Sequence, residues 1–270
     1  MMPPAIDHLV VLVRDLDAAA DRWMRLGFTL TPRGLHSAHM GTANHCVMFG
    51  KDYVELLGVL TPTPGNTPWR ERLAQHEGGG AMALATADAR ATAERLLALG
   101  MGAGPVLDFA RPVKLGAGLG TGEAAFAIAR ASGFADVGLD LFFCQHKTPD
   151  MVWRPDWQDH PNGALALAGV AITAPEPGAL AAQFSAVFGA EAVRTEGDDL
   201  VIASATLPVR ISPAAVPGLK GFSIAVTNLD HTAEALENGA IAHAHRPRSI
   251  EVAADDANGV SLSFVEHPSR

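Results

Sequence analysis

The stretch Ile6-Asp7-His8-Leu9-Val10-Val11-Leu12-Val13, followed by Asp15-Leu16-Asp17 and the run Ala18 to Leu26 closed by Gly27, decides how the chain is read. Its first part is an apolar run of strand length, buried on both faces. Asp15-Leu16-Asp17 is a helix start, and Gly27 supplies the C-terminal cap. Further on, Cys46-Val47-Met48-Phe49, the turn Gly50-Lys51-Asp52 and Tyr53-Val54-Glu55-Leu56-Leu57 predict a hairpin. Strand, helix and closing strands make one unit.

The unit recurs three times, at irregular spacing. Ala81 to Thr86 predicts a strand, Asp88 caps a helix Ala89 to Leu99, and Gly100 ends it. Gly169 to Thr173 is followed by a helix from Pro175-Pro177 through Phe188. Phe222 to Val226 is followed by a helix capped by Asp230 and closed by Gly239. The third unit finishes around the turn Glu196-Gly197-Asp198-Asp199. In the fourth, Ala257-Asn258-Gly259 predicts a tight hairpin, because Asn-Gly supplies positive φ values.

Composition bounds the function. The 270 residues are 48% hydrophobic and 18% charged, with a mean hydropathy of +0.15. Such a chain builds a large core and is not disordered. Its 27 glycines and 18 prolines punctuate many short elements. A net charge of -9 argues against nucleic acid and anionic membrane as partners. Cys46 and Cys144 form no disulfide framework or zinc ribbon. No apolar run reaches the roughly 18 residues of a membrane span, and the N-terminal residues carry no secretory pattern, so a cytoplasmic location is expected.

Local motifs narrow the family. Asp7-His8-Leu9-Val10, Arg14-Asp15-Leu16-Asp17, Leu26-Gly27-Phe28, Gly41-Thr42-Ala43-Asn44 and Tyr53-Val54-Glu55-Leu56 stand within the first unit. With the fourfold arrangement, they make the chain resemble the vicinal oxygen chelate superfamily, the group of glyoxalases, extradiol dioxygenases and bleomycin-resistance proteins. Gly41 to Asn44, Tyr53 to Leu56, Phe142 to His146, Val152 to Pro155 and His160 to Gly163 are similar to its glyoxalase-like domain branch. The resemblance covers nearly the whole chain. It implies an α+β fold of four βαβββ modules, paired into two glyoxalase-like domains with cupped mixed sheets, at residues 1–160 and 164–270. It also implies that the first and last strands of a module can each donate an inward-facing metal ligand.

His8 and Glu55 occupy those strands in the first unit. By alternation His8 shares a face with Ile6, Val10 and Leu12, and Glu55 with Tyr53 and Leu57. A carboxylate among Val54, Leu56 and Leu57 is costly to bury alone, and a cation offsets that cost. The bland alternative is a hydrogen-bonded core histidine and a Glu55 paired with arginine. The resemblance points to a third ligand in the second unit. The strand Ala81-Met82-Ala83-Leu84 offers none, a departure from a glyoxalase I site, whereas the last strand offers His146. His8, Glu55 and His146 would make a two-histidine, one-carboxylate set for Fe, Mn, Ni or Zn.

Glu55 or Tyr53 is the expected catalytic proton carrier. Thr42 and Asn44 are expected along a substrate-facing rim, His39 either beside them or exposed, and Trp153 in the linker as packing across the domain seam that can also wall the cavity. The loop histidine His36 reads as exposed or hydrogen-bonding, and His243 with His245 as polar groups on an edge strand. Gly116 to Gly122 lacks the frame of a phosphate loop, and no Gly-x-Ser-x-Gly elbow occurs. The first strands of the third and fourth units carry no histidine, so the second domain is expected to be structural or to form a homodimer. The leading expectation is a metal-dependent lyase, isomerase or dioxygenase acting on a small molecule with vicinal oxygens. The alternative is a metal-free protein that binds or sequesters a small molecule.

Overall fold

A computed structural model describes residues 2–115 and 120–267. Most of the glycine-rich segment, residues 116–119, lies outside the described residues. The first half runs β1 (Ile6–Val13), α1 (Leu16–Arg25), β2 (Gly34–Leu35), β3 (Thr42–Met48), β4 (Tyr53–Val59), α2 (Thr67–Gln75), β5 (Gly78–Ala85), α3 (Ala89–Ala98), β6 (Leu107–Lys114), β7 (Thr121–Ala131) and β8 (Asp140–His146). The second runs β9 (Ala164–Ala174), α4 (Ala181–Phe188), β10 (Val193–Glu196), β11 (Asp199–Ala203), β12 (Pro208–Pro213), β13 (Gly218–Val226), α5 (Leu229–Asn238), β14 (His243–Arg246), β15 (Ser249–Val252) and β16 (Ser261–Glu266).

Each half is one curved mixed sheet of eight strands. The orders are β2-β3-β4-β1-β5-β8-β7-β6 and β10-β11-β12-β9-β13-β16-β15-β14. The two patterns are the same, which is the α+β architecture expected from the fourfold repeat. Parallel pairing of β1 with β4 and of β5 with β8 places the first and last strands of each unit side by side.

The first and third helices form where the sequence caps them, whereas α5 is capped by Asn228, which accepts from the His231 amide, and not by Asp230 as the sequence reading had it. Asp15 accepts from the amides of Asp17 and Ala18, and α1 then buries Leu16, Ala19, Ala20 and Trp23 at helical spacing. Asp88 does the same for α3. Gly27 follows α1 with φ 83°, and a Cβ there would stand 2.8 Å from that of Asn162. The Asn-Gly reading is corrected. Asn258 and Gly259 both have positive φ, but a 3-10 turn at Ala254–Asp256 precedes them, so they close a longer β15–β16 connection. The tight turn of that unit is Pro247-Arg248, since Arg246 pairs with Ser249.

One core runs through both halves, from Leu9 and Trp23 to Phe222 and Phe264. The linker is keyed into it. Asn162 is fully buried, donates to the Leu26 carbonyl at 2.9 Å and accepts from the Ala164 amide at 3.0 Å. His160 joins the Thr29 amide to the Met48 carbonyl. At the start of β5, Gly78-Gly79-Gly80 lets Leu219 of the second half press onto the first sheet, because a Cβ at Gly79 would overlap the Leu219 side chain. Asn162→Ala leaves the Leu26 carbonyl and the Ala164 amide without partners. It is expected to lower stability by about 1–2 kcal/mol in urea unfolding. No helix among the described residues is long and apolar enough to cross a membrane.

Candidate functional site

The concave face of the first sheet carries the chemistry. His8 stands level with Tyr53 and Val10 with Glu55 across the parallel β1–β4 pair. Alternation along β1 breaks at Asp7, however. Ile6 pairs with Leu84 and His8 with Ala83, so two steps on β1 match one on β5, which is a β-bulge. The bulge turns Ile6 to the core with Leu9 and Val11 and brings Asp7 beside His8. Ile6 therefore does not share the face of His8, as strict alternation had it.

Asp7 is a buried hub. His8 Nδ1 donates to Asp7 Oδ1 at 2.6 Å, and His146 Nε2 donates to the same oxygen at 3.0 Å. Burial pushes the Asp7 carboxyl up, but the hydrogen bonds from His146 and His8 outweigh it and hold the pKa at about 2. With Nδ1 engaged, His8 turns Nε2 toward Glu55 Oε2, 3.7 Å away. Tyr53 stacks on the His8 ring at 4.3 Å between centroids. Burial, reinforced by the charge of Asp7, pushes the Tyr53 phenol well above its ordinary value, so it keeps its proton.

Glu55 is fixed from the other side. Asn44 Nδ2 donates to Glu55 Oε1 at 2.7 Å and to His36 Nε2 at 3.2 Å, while His36 Nδ1 donates to Thr42 Oγ1 at 2.7 Å. His36 Nε2 lies 3.8 Å from Glu55 Oε1. Burial lowers the His36 pKa and so favours the neutral ring, against the pull of Glu55. Asn44 Oδ1 is buried without a partner. These groups line a cavity of about 70 Å³ whose other walls include Phe109, Phe126, Phe142 and Trp69. That is room for only a small ligand, far below the usual span of drug-sized sites. A wider surface furrow of about 750 Å³ runs between α1 and α5, edged by exposed groups such as Asp21, Glu234 and Asn238.

The expected site residues separate into two groups. His8, Glu55, Tyr53 and Asn44 meet at the cavity, and Thr42 supports it through His36. His146, His39 and Trp153 do not line it. Glu55 is level with Val10, Ala81 and Asp140 across the sheet, whereas His146 stands six residues further along β8. Its imidazole reaches back to Asp7, which joins it to His8 and not to Glu55. His146 instead packs on Trp153, with ring centroids 4.5 Å apart, behind Tyr53. His39 is exposed. His36, read as a loop histidine, takes the position beside Glu55.

Arg111, Arg130, Asp140 and Trp69 also line the cavity and were missed. Trp69 lies on α2, for which the sequence reading had no helix, and its indole donates to Asp140 Oδ2 at 3.3 Å. Arg111 had a legible signal. In Leu107-Asp108-Phe109-Ala110-Arg111-Pro112-Val113, burial alternates, and an arginine sits on the apolar face.

The fit to a divalent cation rests on three donors. His8 Nε2 and Glu55 Oε2 have no hydrogen bond among the described residues and face the cavity, and His36 Nε2 needs only Asn44 to turn aside. Strand β5 adds only Ala81 and Ala83. A tighter cluster, with Asp7, Cys144 and His146 donor atoms all within 4.8 Å of one another, adjoins the cavity on the other side of His8, and Cys144 also lines the cavity. There burial keeps the Cys144 thiol protonated, and Asp7 Oδ1 already accepts from two imidazoles.

The family described as a glyoxalase-like domain matches residues 6–188, more than half of the chain and all of the cavity-bearing sheet. The chain belongs to this family. Among solved structures it is similar to a hypothetical protein from Staphylococcus aureus, at TM-score 0.70 and 15% identity, covering 97% of this chain and 99% of that one. It is also similar to a mutant 4-hydroxymandelate synthase from Streptomyces coelicolor, at TM-score 0.66 and 14% identity, covering 100% and 94%. A Mn(II)-bound glyoxalase from Novosphingobium aromaticivorans matches at TM-score 0.60 and 15% identity, covering 98% and 82%. No curated protein matches. At these identities the structural likeness establishes the vicinal oxygen chelate fold.

Proposed function

We propose that this glyoxalase-like protein is a metal-dependent enzyme of lyase, isomerase or dioxygenase type, acting on a small molecule with vicinal oxygens. The observation that carries the reading is the Asp7–His8 pair. A carboxylate on Nδ1 fixes the tautomer that leaves Nε2 as a lone-pair donor, which is how ligating histidines are held. His8, Glu55 and His36 are the residues that would hold the ion. When bound, a divalent cation supplies Lewis acidity toward neighbouring substrate oxygens.

The chain's own groups supply the rest. Asn44 orients Glu55, whose Oε2 faces the cavity and can accept a proton from a ligand carbon or hydroxyl. Tyr53 keeps its proton and so serves as a donor rather than a base. The aromatic wall excludes water around both. A metal-free binding role is the second reading, favoured by the two alanines that β5 presents where further donors could stand.

Metal analysis of protein purified without added metal separates the two readings. Near-stoichiometric metal is expected in the parent and its loss in a His8→Ala, Glu55→Ala double variant. Metal-free parent protein with an intact fold would refute the enzyme reading.

A further inference from the structure

We infer that the cavity selects anionic ligands, with Arg111 and Arg130 binding the carboxylate of a small organic acid. The inference rests on the reading that this cavity is the ligand site and adds the chemical class of ligand. Both arginines line the cavity and are only partly exposed. Neither has a carboxylate within salt-bridge distance among the described residues. Some arginines elsewhere do, such as Arg33 with Asp17, Arg90 with Asp108, and Arg210 with Glu196 and Asp199, while Arg14, Arg25 and Arg72 donate to backbone carbonyls.

The two acids that share the cavity are occupied otherwise. Glu55 is held by Asn44 and lies between His8 and His36, and Asp140 accepts the Trp69 indole. A guanidinium withdrawn from water without a counterion is unfavourable, and a ligand carboxylate meets its planar fork with two parallel hydrogen bonds.

Placement strengthens the case for Arg111. A Cβ on Gly34 would overlap both Arg111 Nη1 and Asn44 Oδ1, so a glycine keeps this corner open and puts the guanidinium beside the Asn44–Glu55 pair. Phe109 and Phe126, stacked at 5.1 Å, sit next to it on the same face and offer an apolar surface for the body of the ligand. The cavity volume limits that body to a few heavy atoms.

Lactate and the uncharged, near-isosteric lactamide are the probes, with binding followed by ligand-observed NMR in EDTA and again with Mn(II). Lactate is expected to bind at least about tenfold more tightly than lactamide, the worth of one charge-assisted contact. Arg111→Met should remove most of that preference, Arg111→Lys should keep part of it, and Arg130→Met should weaken it. In the unmodified protein, acetate should displace lactate and acetamide should not, a readout independent of any variant's folding.

Equal binding of the two probes, binding of neither, or a preference that survives in the Arg111→Met, Arg130→Met double variant would overturn the inference. A lactate preference in EDTA with no metal retained would instead uphold it while the metal reading fails. Metal retained without a charge preference would do the reverse.

Discussion

Asp7→Asn is expected to lower stability at pH 7 by about 2 kcal/mol and to weaken metal binding 10- to 100-fold. The first figure follows from the carboxyl's pKa of about 2 against an ordinary 3.8. A folded-state pKa held below the unfolded value adds stability above the unfolded value. That stability fades as pH falls through 3.8 toward 2. The amide carries no charge, so even where its oxygen accepts from both imidazoles it loses the charge-assisted part of each hydrogen bond. The second figure is the usual cost of losing the carboxylate that orients a ligating histidine. Urea unfolding of parent and variant at pH 7 and pH 3 checks the first, with the gap expected to shrink at pH 3. A metal titration checks the second. A variant equal to the parent in both would remove Asp7 from the account.

The opposite sign is expected at Asp52. This carboxyl is buried in the turn between β3 and β4 and accepts from the Leu167 amide of the second half at 3.0 Å. Burial pushes its pKa up to about 6, against the Leu167 hydrogen bond, and the charge of Asp7 adds to the rise. A folded pKa above the unfolded one stabilises fully below pH 3.8, and that contribution is lost as pH rises through 6. Ionised Asp52 therefore weakens the fold at pH 8. Asp52→Asn keeps an acceptor for Leu167 and should raise stability at pH 8 by up to about 3 kcal/mol, with little gain at pH 4. Unfolding midpoints across that range give the answer. A destabilised variant at pH 8 would show that the hydrogen bond needs the charge.

Much of the fold was legible because its signals are local. The strand of Ile6 to Val13, the Asp15 and Asp88 caps and the glycines that end the helices all act within a few residues, and the structure has them where the pattern puts them. The cavity was legible only in part. His8 and Glu55 follow from alternation on strands whose pairing the repeat dictates. His146 obeys the same alternation, yet its level along β8 is set by register with β5, which no local pattern encodes. The bulge at Asp7 is likewise a property of two strands together. His36 and Trp69 arrive on a two-residue strand and a helix of weak amphipathic pattern, placed by long-range packing.

The glycines that open β5 carry a consequence for how this sequence can drift over generations. Through Gly79, Leu219 of the half without the cavity rests on the strand that supplies Ala81 and Ala83 to the face beneath it. A larger residue on either side of that contact would shift β5, and with it the spacing between His8 and Phe142. The second half thus constrains the geometry of a cavity that none of its described residues lines, and a larger residue at Leu219 would need a compensating change in the first half to keep the face as it is.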